Sequence, residues 1–312
     1  MIVRPTTSVS ISGCGIVLGL FLLIVPLPSF ASDTATNLAR ENAIVASLRA
    51  RGLVGGNLTE DSDSAVIPSP PPGTEVRIYD AGRADRPLNA TMTEWEEPLG
   101  ADILSFMIIA RDGAKQVTWW VLPGDSTGCI IYSYRIFDKS GHVVRSEFWR
   151  ANDLIKTAYG QDFPASLYPF GPNGGMPPGE VIRALGTPSS GASTTMYTQF
   201  SPDSYVTLDV WVDGADEIVT PAGKFRTIRI VMRPNVHSFL PSWPGFVLKA
   251  FQPFLPRETF YFEAKPPYRF LAYEGVPGAT GPEEKTEIVR YYVRGQSPPA
   301  AKNTSPMNVT LQ

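Results

Sequence analysis

The sequence predicts a mainly β protein whose strands run as an antiparallel meander in one large domain. Two observations carry this. Short runs of alternating apolar and polar residues recur at close spacing from Glu75 to Val293, the two-residue period of half-buried strands. Turn signals such as Asp112-Gly113 and Asp138-Lys139-Ser140-Gly141 separate them, and a two-to-four-residue link joins neighbouring antiparallel strands but is too short for a parallel crossover.

The N-terminus reads as an export signal. Arg4 precedes an apolar run over residues 13–25, Pro26 and Pro28 break it, and Ser29-Phe30-Ala31 supplies small residues for cleavage after Ala31. The run is short for a membrane span. Cys14 leaves with the signal, so Cys129 remains alone and no internal disulfide is expected. An exported chain without disulfides must rest on a large apolar core, and its length allows one.

Removal of Arg4 leaves 26 of the 27 basic residues against 30 acidic ones. That balance leaves no electrostatic footprint for nucleic acid. The domain plan is a signal over 1–31, a helix within 32–54, a Pro/Ser-rich linker over 55–74, a β-rich domain over 75–295 and a disordered tail over 296–312. The helix places Leu38, Val45 and Leu48 on one narrow face and ends at Gly52. It either docks on another element or frays.

Within the β-rich domain, strands are expected at Glu75–Asp80, Ile103–Ala110, Gln116–Leu122, Cys129–Phe137 and Val143–Trp149. Helices at Asn152–Gly160 and Pro178–Leu185, with an aromatic Pro/Gly loop between them, interrupt the series. Strands resume at Thr194–Phe200, Tyr205–Val212, Phe225–Met232, Glu258–Glu263, Tyr268–Tyr273 and Glu287–Val293. Val206, Leu208, Val210 and Val212 form the buried face of one strand of the Tyr205–Met232 hairpin. Thr220-Pro221-Ala222-Gly223 is expected to turn it as a type II turn, with Gly223 supplying a positive φ.

Few residues point to chemistry. His142 and His237, the only histidines, have no Cys or carboxylate at ligand spacing. No phosphate loop, His-Glu-x-x-His or nucleophile elbow occurs. Asp209, Asp213, Asp216 and Glu217 read as a solvated hairpin end, and Glu94, Glu96 and Glu97 around Trp95 as a solvated edge. No metal, cofactor or catalytic residue is expected, although the fold could bring two carboxylates together for acid/base work.

The aromatic residues carry most functional meaning. Trp119 and Trp120 are adjacent on a strand and so point to opposite faces. Either helices cover the second face, or one of them lines a ligand cavity. Pro234 to Pro256 is too apolar for a solvated connection. Trp119, Trp120, Phe239, Trp243, Phe246, Phe251 and Phe254 are therefore the candidate ligand-binding residues, the tryptophans as wall and the others as cover.

Glu217-Ile218-Val219-Thr220-Pro221-Ala222-Gly223-Lys224-Phe225-Arg226-Thr227-Ile228-Arg229-Ile230 resembles the signature of an uncharacterised exported bacterial family similar in fold to the lipoprotein carriers LolA and LolB. Pro266-Pro267-Tyr268-Arg269-Phe270-Leu271 resembles that family's following strand. The resemblance implies a strongly curved antiparallel sheet, a half-open barrel, whose concave face holds an apolar cavity covered by helical or loop segments. It also implies a Gram-negative periplasm or outer envelope, and no catalysis. The expected function is a periplasmic, non-enzymatic protein binding a lipid or other apolar small molecule, with peripheral membrane association. The alternative is an envelope interaction or scaffold protein with a filled core.

Overall fold

The computed structural model describes residues 30–54, 67–150, 176–201, 204–239, 243–276 and 282–296. The expected signal cleavage, most of the linker, the expected helix Asn152–Gly160 with the loop after it, and the tail beyond residue 296 lie outside the described residues.

The chain begins with helix α1 (Phe30–Ala50) and continues through β1 (Glu75–Arg83), β2 (Ala90–Leu99), β3 (Asp102–Arg111), β4 (Ala114–Leu122), β5 (Ile131–Phe137) and β6 (Val143–Arg150). Helix α2 (Pro178–Leu185) precedes β7 (Ser193–Ser201), β8 (Ser204–Thr220) and β9 (Gly223–Pro234). Short helices α3 (Val236–Phe239) and α4 (Gly245–Phe251) lead to β10 (Glu258–Glu263), β11 (Phe270–Gly275) and β12 (Glu284–Val293). The strands form one 12-stranded sheet in the order β6-β5-β4-β3-β2-β1-β12-β11-β10-β9-β8-β7. All pairings are antiparallel.

The sheet wraps. One hydrophobic core contains Tyr134 of β5 and Met196 of β7, which lie ten strand steps apart in the sheet order. In a flat sheet that separation would be about 48 Å at ~4.8 Å per strand. Only strong curvature brings them into one core. β6 and β7 remain unpaired with each other, so the barrel is open along that seam. The expected half-open, antiparallel architecture is the one observed.

A second core lies on the outer face of β2–β5. There Trp95, Leu104, Phe106, Trp119, Val121 and Ile131 pack beneath Ile44, Val45 and Leu48 of α1. The helix is thus docked, and it covers the second face that Trp119 requires. Trp95 stacks on Phe106 at 4.6 Å. Ion pairs fasten the helix to the strands, Arg40 to Asp102, Arg51 to Glu97 and Arg150 to Glu41. Gly52 ends the helix with φ +71°, as a C-terminal glycine does.

Three local expectations are corrected. Residues 90–99 form β2, an interior strand of the sheet, where a solvated edge was expected. Glu94 and Glu97 are buried because each has its own partner, Tyr79 on the inner face and Arg51 with Trp95 on the outer one. β8 continues past Val212 to Thr220, since a bulge between Val212 and Gly214 absorbs the polar Asp213-Gly214 pair. The turn is not type II. Ala222, its third residue, keeps a negative φ, and the positive value (137°) falls on Gly223 at the fourth. The β8–β9 hairpin also lies beside the edge strand β7, while β1 and β12 occupy the sheet's centre. Its tip folds back, and the Ala222 amide donates to the Ile288 carbonyl of β12 at 3.2 Å.

Leu48 is fully buried between α1 and the sheet. Leu48→Ala is therefore expected to cost about 2–4 kcal/mol in urea unfolding; a change below about 1 kcal/mol would mean that α1 contributes nothing to the fold.

Candidate functional site

The candidate site is the inner wall of the wrapped sheet. Registers place its residues in two rows across the strands. One row runs Arg77, Glu94, Met107, Thr118 and Tyr134. The next runs Glu96, Ser105, Trp120 and Tyr132. On the other half of the sheet the inner wall carries Val210, Val212, Ile230, Met232, Phe260 and Phe262. The wall is therefore polar and aromatic over β1–β5 and mainly apolar over β8–β10, where Glu258 shares the face of Met232 and Phe260 and its carboxyl, raised to about 7 by burial, accepts from the Tyr273 hydroxyl at 3.3 Å.

Glu94 sits in the polar half, and burial is the largest influence on it, pushing its carboxyl up to about 7 against the pull of the Arg77 guanidinium. The Tyr79 hydroxyl beside it donates to the Phe270 carbonyl at 3.2 Å. A hydrogen bond with the Tyr79 hydroxyl also pulls the Glu94 carboxyl down, without offsetting its burial. Arg77 also lies 3.9 Å from Glu96. Among the described residues, several buried polar atoms of the wall have no hydrogen-bond partner: Thr118 Oγ1, Trp120 Nε1, Tyr132 Oη and Arg77 Nε.

Helix α2 reaches from β7 and β8 to the β4–β5 loop and so spans the seam. Val181 enters the inner core. Pro at its first position and Gly186 after its last bound the helix. Glu180 accepts from the Gly128 amide at 3.0 Å and pairs with Arg183. Arg183 in turn donates to the Ser126 carbonyl at 2.8 Å and to that of Pro123. Burial raises the Glu180 carboxyl to about 7 against the pull of Arg183 and the Gly128 amide. The same helix start brings Gly179 against the Glu96 carboxylate.

One end of the interior reaches water. Glu96 and Tyr291 share the inner register with Arg77, yet their exposures are 40% and 41%. Arg269 braces this rim. It donates to both oxygens of Glu75 at 3.0 Å, to Glu263 at 2.9 Å, and lies 4.2 Å from the Tyr291 ring centroid.

The sequence-predicted site residues separate into three groups. Trp120 lies on the inner wall and is fully buried. Trp119 faces outward beneath α1 and lines no part of the interior. Trp243, Phe246 and Phe254 are exposed by 45%, 77% and 83%, so they turn to solvent where a cover over the sheet was expected. The side chains of Phe239 and Phe251 lie outside the described ones. The reason is local: Leu248 and Val236 are the buried side chains of the segment, and Gln252 ties it back through the Val236 amide and the Pro234 carbonyl, each at 3.1 Å. Of the acidic hairpin residues, Asp209 accepts from the Asn235 side-chain amide at 3.0 Å, and the others form surface ion pairs. Arg229 bridges Asp213 and Asp216 at 2.9 and 3.2 Å, and Lys224 pairs with Glu217.

The polar rows escaped sequence reasoning because their members come from five strands and are each unremarkable alone. The one available signal was Glu94 at an apolar-period position of a possible strand beside Met92.

Fold and wall together define an open, barrel-like β protein with a mixed polar and apolar interior. No protein-family model and no curated protein matches the chain. Among solved structures it is similar to a β-barrel-like protein of a domain of unknown function, DUF1849, from Brucella abortus. That likeness has 11% identity and a TM-score of 0.37, over 70% of this chain and 97% of that one. It is also similar to the hypothetical lipoprotein YmcC from Escherichia coli, with 8% identity and a TM-score of 0.30 over 70% of this chain and 84% of that one. An exported protein with a YmcC-like fold from Bacteroides fragilis matches at 10% identity and a TM-score of 0.28, over 71% of this chain and 96% of that one.

Two predictions test the wall and the clasp. A carboxyl raised in the folded state binds its proton more tightly there than in the unfolded chain. Stability from Glu94 is thus full below about 4.5 and lost as the pH rises to about 7. Glu94→Gln should flatten the melting temperature over that window, removing a slope worth on the order of 3 kcal/mol; an unchanged profile would show that Glu94 does not titrate there. Arg183→Met should destabilise by about 3 kcal/mol at pH 8 because Glu180 loses its partner. The loss should shrink toward pH 5 as Glu180 takes up a proton, and a pH-independent loss would refute the pairing.

Proposed function

We propose that this protein is a periplasmic, non-enzymatic carrier or receptor that binds a lipid-like amphiphile inside the wrapped sheet. The observation that carries it is the interior itself: aromatic and aliphatic over one half, polar over the other, with water reaching one end beside Glu96 and Tyr291. A molecule with a tail and a head matches that division. The export signal read at residues 1–31 supports the compartment. The likeness of the Thr220–Phe225 turn to the family allied in fold to LolA and LolB supports apolar cargo. Among the described residues no helix is long and apolar enough to cross a membrane. The solvent-facing Trp243, Phe246 and Phe254 suit contact with a membrane surface from which cargo is drawn, where aromatic rings settle at the headgroup level.

A second reading has its own observation. The same exposed rings could seat on an envelope protein, since aromatic anchors dominate such interfaces. In that case the protein is a scaffold and its interior carries no cargo.

Native mass spectrometry of protein recovered from its own envelope is expected to show a co-purifying amphiphile, and the uncharged apolar probe N-phenyl-1-naphthylamine is expected to brighten on binding. Bare protein that leaves the probe dark would defeat the carrier reading. Photo-crosslinking from position 243 to a protein, with no lipid adduct, would establish the scaffold reading in its place.

A further inference from the structure

We infer that the segment between β9 and β10 docks the protein on an anionic phospholipid surface, with Phe246 and Phe254 entering the headgroup layer and Lys249 meeting lipid phosphate. The inference rests on the membrane contact of the carrier reading and names its lipid class; it needs no cargo in the interior.

The segment is built as a braced platform. Among the described residues six large apolar side chains are strongly exposed, and three of them, Trp243, Phe246 and Phe254, lie together here. Beneath them Leu248 and Val236 are buried and Gln252 bonds to both ends of the segment, so the rings are held out before anything binds. A chain entering a headgroup layer must leave few backbone donors open. Pro241, Pro244, Pro253 and Pro256 have no amide hydrogen. The amides of Val236, Val247, Leu248 and Leu255 are bonded within the segment.

Charge selects the lipid. Residues 233–257 include Arg233, Lys249 and Arg257 and no Asp or Glu, whereas in the whole chain 30 acidic residues outnumber 27 basic ones. The acids that adjoin the segment are engaged. Asp209 accepts from Asn235, Asp213 pairs with Arg257 and Arg229, and the Glu258 carboxyl is set beside the Tyr273 hydroxyl. Glu283 and Glu284 are exposed at the start of β12, which lies beyond β10 and β11 in the sheet order, so the positive sign belongs to the segment itself. Arg257 is shared with Asp213, and Arg233 lies over the Trp211 ring at 5.4 Å. Lys249, exposed three positions along α4 from Phe246, is therefore the cation best placed for a lipid phosphate. A protein partner would need a pocket shaped for each ring, while a fluid headgroup layer takes projecting rings without a matching surface.

The test is co-sedimentation of the full mature chain with vesicles of phosphatidylcholine alone or with 30% phosphatidylglycerol. Binding to the anionic vesicles is expected to be about tenfold tighter, since one cation at such a surface is worth about fivefold. Lys249→Gln should reduce that preference to about twofold. Phe246→Ser and Phe254→Ser should each weaken binding to both vesicles about tenfold. These side chains are exposed, so the melting temperature should stay level, which separates lost docking from lost folding. Brominated phosphatidylglycerol should quench tryptophan fluorescence, and Trp243→Phe should remove most of that quenching. Equal binding to the two vesicles, no binding to either, or a Phe246→Ser/Phe254→Ser double variant that binds as the parent does would overturn the inference. Brightening of N-phenyl-1-naphthylamine without vesicle binding would overturn the docking and leave the carrier reading standing; vesicle binding with a dark probe would support the docking and defeat the carriage of cargo.

Discussion

Two adjacent tryptophans on one strand cannot share a face, and much of this structure follows from that constraint. Trp120 takes the inside of the wrapped sheet and Trp119 the outside. An indole on the outside of a sheet needs a cover, since its large apolar ring area is costly to leave in water. α1 supplies it through Ile44, Val45 and Leu48. The ion pairs from Arg40, Glu41 and Arg51 to the strands then fix the helix across them. The result is two cores that share β2–β5 as a common wall, so those strands are buried on both faces although the sheet is antiparallel.

Burial on both faces also explains what the sequence disclosed and what it hid. Strands with a clean alternation, such as β9 and the first half of β8, were legible because one face was consistently apolar. α2 was legible end to end from Pro178 and Gly186. β2 was hidden because Thr93-Glu94-Trp95-Glu96-Glu97 breaks the apolar period on either face. Each buried glutamate there is supported by a residue distant in sequence, Tyr79 for one and Arg51 for the other, and no local pattern encodes such a partner. The aromatic segment after β9 was legible as unusual, but its direction was not. Composition says that rings are present; only the bracing by Gln252 and the burial of Leu248 decide that Phe246 and Phe254 turn outward.

The interior is divided rather than uniform. The β8–β10 side is mostly an aliphatic and aromatic core, with the Glu258 carboxyl set into it. The β1–β5 side carries carboxyls held near neutrality and donors without partners, features that lower stability and are retained most readily where a site needs them. α2 links the halves, since it packs against β7 and β8 while Glu180 and Arg183 grip the β4–β5 loop. The helix is both the closure of the seam and a boundary of the polar wall, so its placement and the chemistry of that wall are coupled.

The strand order has a further consequence, for how the chain assembles. Reading outward from its middle, the sheet is two six-stranded meanders, β1 to β6 and β12 back to β7, each built from neighbours in sequence. Only the β1–β12 pairing joins residues some two hundred positions apart, Val76 with Tyr292 among them. Local hairpins can form early and at low entropic cost, whereas this one ladder must wait for the last strand to emerge. Its closure unites the two halves around one core, which makes the final stretch of the domain the step on which cooperative folding turns.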